Sequence, residues 1–307
     1  APAGAEVIDG TGKWVTPGIF SAVTDLGLSD VDGVSESNDE AAGNSPFSAA
    51  LDASRALNPN SQDVLVARAD GITRASVYSR PSASIFGGQG AVIDLGADPE
   101  MVTRTRAFQV VDLGETGARI SGGSRTSAHA LLRNALREAQ QYGDRAAIGA
   151  ATARPSETRF GDDVPLDPRL DGRDGERAGD VLLTRFDAAA LVPVVRGEQP
   201  RNARQYAGNL VALTRLPGAT GLTWGEALAT ITSIPAQIAG FGGRLGTLAS
   251  GATADLVIWD GDPLEVGSAA EAVFIDGIRQ PTDNHQTRLR ERYRDLDESD
   301  LPKAYDW

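Results

Sequence analysis

The apolar residues of this chain come in short runs, strand-like near both ends and helix-like between them, a pattern that points to a mixed α/β fold. Ile19 to Thr24 is compact and apolar, as a buried parallel strand would be. Ile72 to Tyr78, Ala91 to Leu95, Ala254 to Trp259 and Ala272 to Ile275 read as further strands, and Asp276-Gly277 is a strong hairpin turn. Before them, Glu6 to Asp9 alternates, Gly10-Thr11-Gly12 turns, and Lys13 to Thr16 continues to the break at Pro17-Gly18. Helical spacing is clearest from Ser124 to Tyr142, with Ser124 as cap and Gly143 as stop. Pro46 to Leu57 and Leu183 to Val195 also read as helices. Thr223-Trp224-Gly225-Glu226 is a capping box opening a helix to Thr232, and Ser233-Ile234-Pro235 starts another that Gly240 ends. Gly87-Gly88-Gln89-Gly90 reads as a tight connection, Ala151 to Asp180 as a long loop, and Gln286 to Trp307 as a charged tail with a surface helix.

Composition narrows the function. Forty-two acidic against 29 basic residues give a net charge of -13, a field that repels phosphate and argues against nucleic acid. No apolar run reaches the roughly 18 residues of a membrane span, and no leader resembling a signal peptide opens the sequence. Without cysteine there are no disulfides, thiolate metal sites or cysteine nucleophiles. All basic residues except Lys13 and Lys303 are arginines. The body of the chain therefore offers no Schiff-base, P-loop or metal-bridging lysine. Asp30-Val31-Asp32-Gly33 departs from a calcium loop at its fifth ligand place, Val34, and reads as a solvated loop.

Two segments, far apart and in order, resemble the amidohydrolase superfamily in its imidazolonepropionase-like and prolidase-like branch. The first runs from Val7-Ile8-Asp9-Gly10 through Thr16-Pro17-Gly18-Ile19-Phe20. The second joins Leu222 to Leu228, Ile234-Pro235-Ala236, Gly243 to Leu248 and Gly251 to Leu264. The resemblance implies a (β/α)8 TIM-like barrel over residues 18–240, a composite β-sandwich from 1–17 and 241–284, and a tail over 285–307. Active sites of such barrels lie at the C-terminal ends of the strands. It also implies hydrolysis of amide, lactam or peptide C–N bonds by a zinc-type metal, which lowers the pKa of a bound water. Its further implications are a small-molecule or peptide-like ligand, homo-oligomers or pairing with an active relative, and export from a bacterial cell.

The family's metal ligands begin with a His-x-His pair on the first strand. Here those two places fall on Val23 and Asp25. Val23 has no lone pair to give, so Asp25 is the single candidate ligand, and its plain alternative is a hydrogen-bonding role at the strand end. His129 lies on the polar side of its helix with Arg133 and Gln140, and His285 lies near the charged tail, so both read as surface residues. Ser124 has no nucleophile elbow around it. After Pro200 the family pattern jumps to a segment near the barrel's end, so a shortened or interrupted barrel is expected. The residues present thus lead to an amidohydrolase-type protein with a degenerate metal site, no cofactor and a binding or partner role. The alternatives are a metal-dependent hydrolase whose other ligands lie elsewhere, or carboxylate-based hydrolysis in the same pocket.

Overall fold

A computed structural model describes residues 7–30, 34–45, 47–147 and 200–294, with side chains in 140–147 set aside. They form a mixed α/β protein with two four-stranded sheets. β1 (Trp14–Pro17), β6 (Leu256–Trp259), β7 (Ala270–Ile275) and β8 (Ile278–Arg279) make one sheet in that order. β1 runs antiparallel to β6 with Trp14 opposite Trp259, so the sheet joins segments from both ends of the chain. The second sheet has the order β2 (Ile19–Thr24), β3 (Ile72–Val77), β4 (Phe86–Asp94) and β5 (Val102–Val111). β2 and β3 are parallel, whereas β3–β4 and β4–β5 are antiparallel. The described residues therefore form two open sheets and do not close into a barrel.

The sheets face one another across the main core. Ile19, Ile72, Ala75, Val77, Ala91 and Ile93 pack in one cluster with Val257, Trp259, Val273 and Ile275, closed at one side by Val64 and Ala67 of α1 (Gln62–Ala69). Every residue of β3 and β4 is buried, because both faces of the second sheet are covered. On the outer face, α3 (Arg125–Ala147), preceded by the short α2 (Glu115–Ile120), lays Ala128, Ala135 and Ala139 on Ile85 and Phe86. A third cluster sets Phe20 and Val92 against Ala236, Phe241 and Leu245 around α6 (Ser233–Ile238). α4 (Ala203–Ala212), entered from a 3-10 turn at Pro200–Asn202, packs on α5 (Trp224–Thr230) through Ala207, Ala227 and Leu264. α7 (His285–Arg292) follows the first sheet.

Local chemistry and structure agree where one short-range signal dominates. Thr223 accepts from the Glu226 N–H while Glu226 accepts from the Thr223 N–H, the expected capping box. Asp276 and Gly277 take φ of 51° and 78°, as a tight hairpin between β7 and β8 requires.

Three expectations are corrected, and one strand had no sequence signal. Of the helix expected over Pro46 to Leu57, the described residues 47–57 form only a 3-10 turn at Ala53–Arg55, with Asp52 capping Ser54, and the helix comes one step later behind Ser61, whose hydroxyl accepts from Val64 N–H. The glycine-rich run 87–90 is not a connection but the first half of β4. Glycine is needed there because a Cβ on Gly90 would lie 2.2 Å from the Phe108 ring. The 124–142 helix does not stop at Gly143 but continues to Ala147. β5, polar and without clean alternation, was not visible in the sequence. The loop expected over 151–180, the helix over 183–195 and most of the calcium-like loop lie outside the described residues.

Candidate functional site

Parallel strands deliver their C-terminal ends to one side of a sheet, and that side is where the resemblance places chemistry. Thr24 closes β2 opposite Val77 of β3, and Asp25 and Tyr78 follow. Tyr78 N–H donates to the Thr24 carbonyl at 3.1 Å, fixing the two strand ends together. Asp25 is half-buried at this edge. Its Oδ2 accepts from Arg80 Nε at 2.9 Å and from Arg80 Nη2. The same guanidinium reaches Glu40 Oε2 through Nη1 at 2.8 Å, and Arg80 N–H donates to the Glu40 carbonyl. Burial works against the Arg80 charge, but the bond and charge of Asp25, with Glu40 and Tyr78 behind them, outweigh it and hold its pKa above the ordinary value. Val23, one residue before the strand end, offers no donor.

A second polar group stands at the same end. β3 and β4 last pair at Val77 and Ala91, so Gln89 lies beyond them on the side of Asp25. Gln89 faces Gln109 across β4 and β5. The Gln89 Oε1 and both amide atoms of Gln109 are buried with no hydrogen-bond partner among the described residues. Asp52 bridges to Gln89 along the backbone and accepts from Arg106 Nε at 3.3 Å. Sequence reasoning missed this group, because its pairing exists only in the antiparallel register of two strands that carry little periodicity.

The two histidines are exposed, as expected: His129 on α3, and His285 at the start of α7, where its Nδ1 lies 2.9 Å from Gln62 Oε1. Among the described residues, no three His, Asp or Glu side chains come together to hold a metal ion.

A deeply buried ion cluster lies elsewhere, between the sheets. Arg74 on β3 forks onto Asp255, Nε to Oδ2 at 2.7 Å and Nη2 to Oδ1 at 3.2 Å. Nη2 also donates to Asp276 at 2.7 Å and Nη1 to Thr103 at 3.0 Å, with Asp94 Oδ2 at 3.5 Å. Arg74 and Asp255 are 4% and 2% exposed, so neither charge is answered by solvent. Asp255 accepts from Asp276 N–H as well, which ties the hairpin turn to the second sheet. This arrangement ties the two sheets together, with the carboxylates of Asp255 and Asp276 taken up by one guanidinium.

Burial pushes the Asp94 carboxyl above its ordinary range; the Gly96 N–H and the Arg74 charge pull it down, and Asp276 and Asp98 push it up again. Since the folded value exceeds the unfolded one, the stability this group adds is complete below the unfolded pKa and is lost as pH rises through the folded one. The advantage of the wild type over Asp94→Asn is therefore expected to shrink in urea titrations as pH rises from about 4, the ordinary carboxylate value, through the raised folded one. A difference that grows over that window contradicts the assignment.

Residues 197–278 match the profile of the Amidohydrolase family. Over 60 residues the chain is 50% identical to amidohydrolase tasK of Hapsidospora irregularis, a stretch that makes up 20% of this chain and 6% of that relative. The chain thus spans a small part of the curated relative it matches. Among solved structures, the amidohydrolase from Thermotoga maritima MSB8 superposes with a TM-score of 0.68 at 20% identity, over 91% of this chain and 90% of that one. That likeness is one of fold. A prolidase complexed with N-methylphosphonate-L-proline aligns at 16% identity over 91% of this chain and 90% of that one, with a TM-score of 0.36.

Proposed function

We propose, from the premise that this chain is a member of the amidohydrolase superfamily, that it binds a small-molecule or peptide-like ligand without hydrolysing it. The observation that carries this reading is the Arg80 guanidinium on Asp25. A family-type divalent cation is held by several imidazole and carboxylate donors. Here the one carboxylate at the first-strand position already accepts two N–H groups from a cation of the protein's own, and that cation is shared with Glu40. With Val23 at the neighbouring ligand place, this donor set does not fit a catalytic metal. Arg80 supplies the positive charge locally, so Asp25 serves to orient it.

The same reading assigns residues 18–240 to a barrel and 1–17 with 241–284 to a composite β domain. The parallel β2–β3 pair and the antiparallel β1–β6 pair support these assignments. It leaves a non-catalytic chain free to partner an active relative.

Zinc decides the matter. After incubation with zinc and desalting, elemental analysis is expected to find far less than one ion per chain, and chelators are expected to leave the protein unchanged. Stoichiometric zinc, together with chelator-sensitive release of amine from amides, lactams or dipeptides, would restore the metal-dependent hydrolase. Its further ligands would then come from outside the described residues.

A further inference from the structure

We propose that Asp276-Gly277 is a site of spontaneous isoaspartate formation, and that Arg74 guards it while the chain is folded. The hairpin between β7 and β8 has only these two residues in its loop, since Ile275 pairs with Ile278. A glycine after an aspartate leaves the next main-chain nitrogen unshielded, because no Cβ stands beside it. The Asp276 side chain is 55% exposed, so water reaches it.

The chemistry needs only water. The Gly277 nitrogen bonds to Asp276 Cγ, and the proton it sheds leaves with the carboxyl O–H as a water molecule. The cyclic imide so formed takes up water again. Where that water attacks the main-chain carbonyl of Asp276, the bond to the Gly277 nitrogen breaks and the chain continues through Cγ. No oxidant or second reactant enters, and the mass is unchanged.

Three contacts oppose the first step. Attack requires the carboxyl carbon to swing onto the Gly277 nitrogen, yet Arg74 Nη2 holds Asp276 Oδ1 at 2.7 Å, and Arg74 is itself 4% exposed. The Gly277 N–H is engaged with the Ala254 carbonyl at 2.9 Å, and the Asp276 N–H with Asp255 Oδ1 at 2.9 Å. Asp255 is in turn forked by Arg74. One guanidinium therefore fixes the Asp276 side chain directly and its main chain through Asp255. Asp9-Gly10 has no such anchor: it is exposed, and among the described residues its carboxylate accepts from Thr11, two residues on. Conversion at 276 would undo the clamp. It adds a methylene to a two-residue loop and moves the carboxylate back onto Cα, away from Arg74.

Peptide mapping of the full chain reads the product. Fragmentation of the tryptic peptide from Leu245 to Arg279 separates Asp276 from Asp260, and enzymatic methylation of isoaspartyl carboxylates gives an independent count. In the folded wild type the rate at Asp276 is expected to be at least about tenfold below that of the same chain unfolded in urea, since reaction must wait for local opening. Asp9-Gly10 serves as the internal clock. Arg74→Met should raise the Asp276 rate at least about tenfold, the weight of one charge-assisted hydrogen bond. That variant is also destabilised, so it is compared with Trp259→Phe at urea concentrations that give equal folded fractions. Trp259→Phe leaves the guanidinium in place and should react at Asp276 as slowly as the wild type at that folded fraction. An Arg74→Met rate no higher than that of Trp259→Phe overturns the guard, as does a folded wild type that reacts as fast as the unfolded chain. An unfolded chain that forms no isoaspartate at 276 overturns the site itself.

Discussion

Replacing Arg74 with methionine is expected to cost about 3–5 kcal/mol of folding stability, the range for removing one partner of a buried ion pair. The cost comes from what is left behind. Asp255 is 2% exposed and would retain a buried charge with only the Asp276 N–H to answer it. Asp94, pushed toward its neutral form by burial, would lose the charge that favours ionisation. Urea unfolding followed by tryptophan fluorescence measures the loss. Arg74→Lys is expected to recover only part of it, because one ammonium cannot reproduce the fork onto Asp255 while reaching Asp276 and Thr103. Adding Asp255→Asn to Arg74→Met should restore stability relative to Arg74→Met alone. If the single substitution proves neutral, the two sheets are held by apolar packing and the clamp contributes little.

The second large effect is expected at Trp259. It is fully buried, its Nε1 donates to Thr16 Oγ1 at 2.8 Å, and the Arg204 guanidinium lies 4.8 Å from its ring centre. Gly71 fits beneath it: a Cβ there would be 2.5 Å from Trp259, and φ of +86° suits glycine in any case. Trp259→Ala removes a large side chain from the centre of the inter-sheet core and is expected to cost about 3–5 kcal/mol. Trp259→Phe keeps a ring for Arg204 and loses the bond to Thr16, so a smaller loss of about 1–3 kcal/mol is expected. Equal losses for the two would show that the hydrogen bond, and not the volume, dominates. Both variants are read by the same unfolding curves, and Trp14 and Trp224 remain as reporters.

How much of this was legible follows from the range of each signal. Ser61 caps α1 through contacts three residues apart, and Thr223 does the same for α5, so both starts are written locally. The first was nevertheless passed over, because the proline at 46 gave a competing helix signal upstream. β5 carries Thr103, Arg104, Thr105 and Arg106 in succession, as an edge strand facing solvent on one side can. Apolar alternation is the sequence mark of a strand, and there it is absent. The glycines of β4 look like a turn because their usual reason is a turn. Here the reason is Phe108 pressing on Gly90 from the neighbouring strand.

At the candidate site, Val23 and Asp25 were readable one residue at a time, since each occupies a place defined by distance from Pro17-Gly18. Arg80 was not. It is 55 residues from Asp25, and nothing marks it among so many arginines until the parallel pairing of β2 and β3 sets their ends side by side. The same holds for Gln89 and Gln109, whose meeting depends on register.

The sequence by itself therefore determined the capping box at Thr223, the turn at Asp276-Gly277, the strands at Ile19–Thr24 and Leu256–Trp259 and the acidic character, because these rest on neighbours a few residues apart or on composition. Only the tertiary structure decided which charges meet: Arg74 with Asp255 across 181 residues, and Arg80 with Asp25. Electrostatic attraction depends on distance in space and on the exclusion of water, and neither has a period that a linear chain can display.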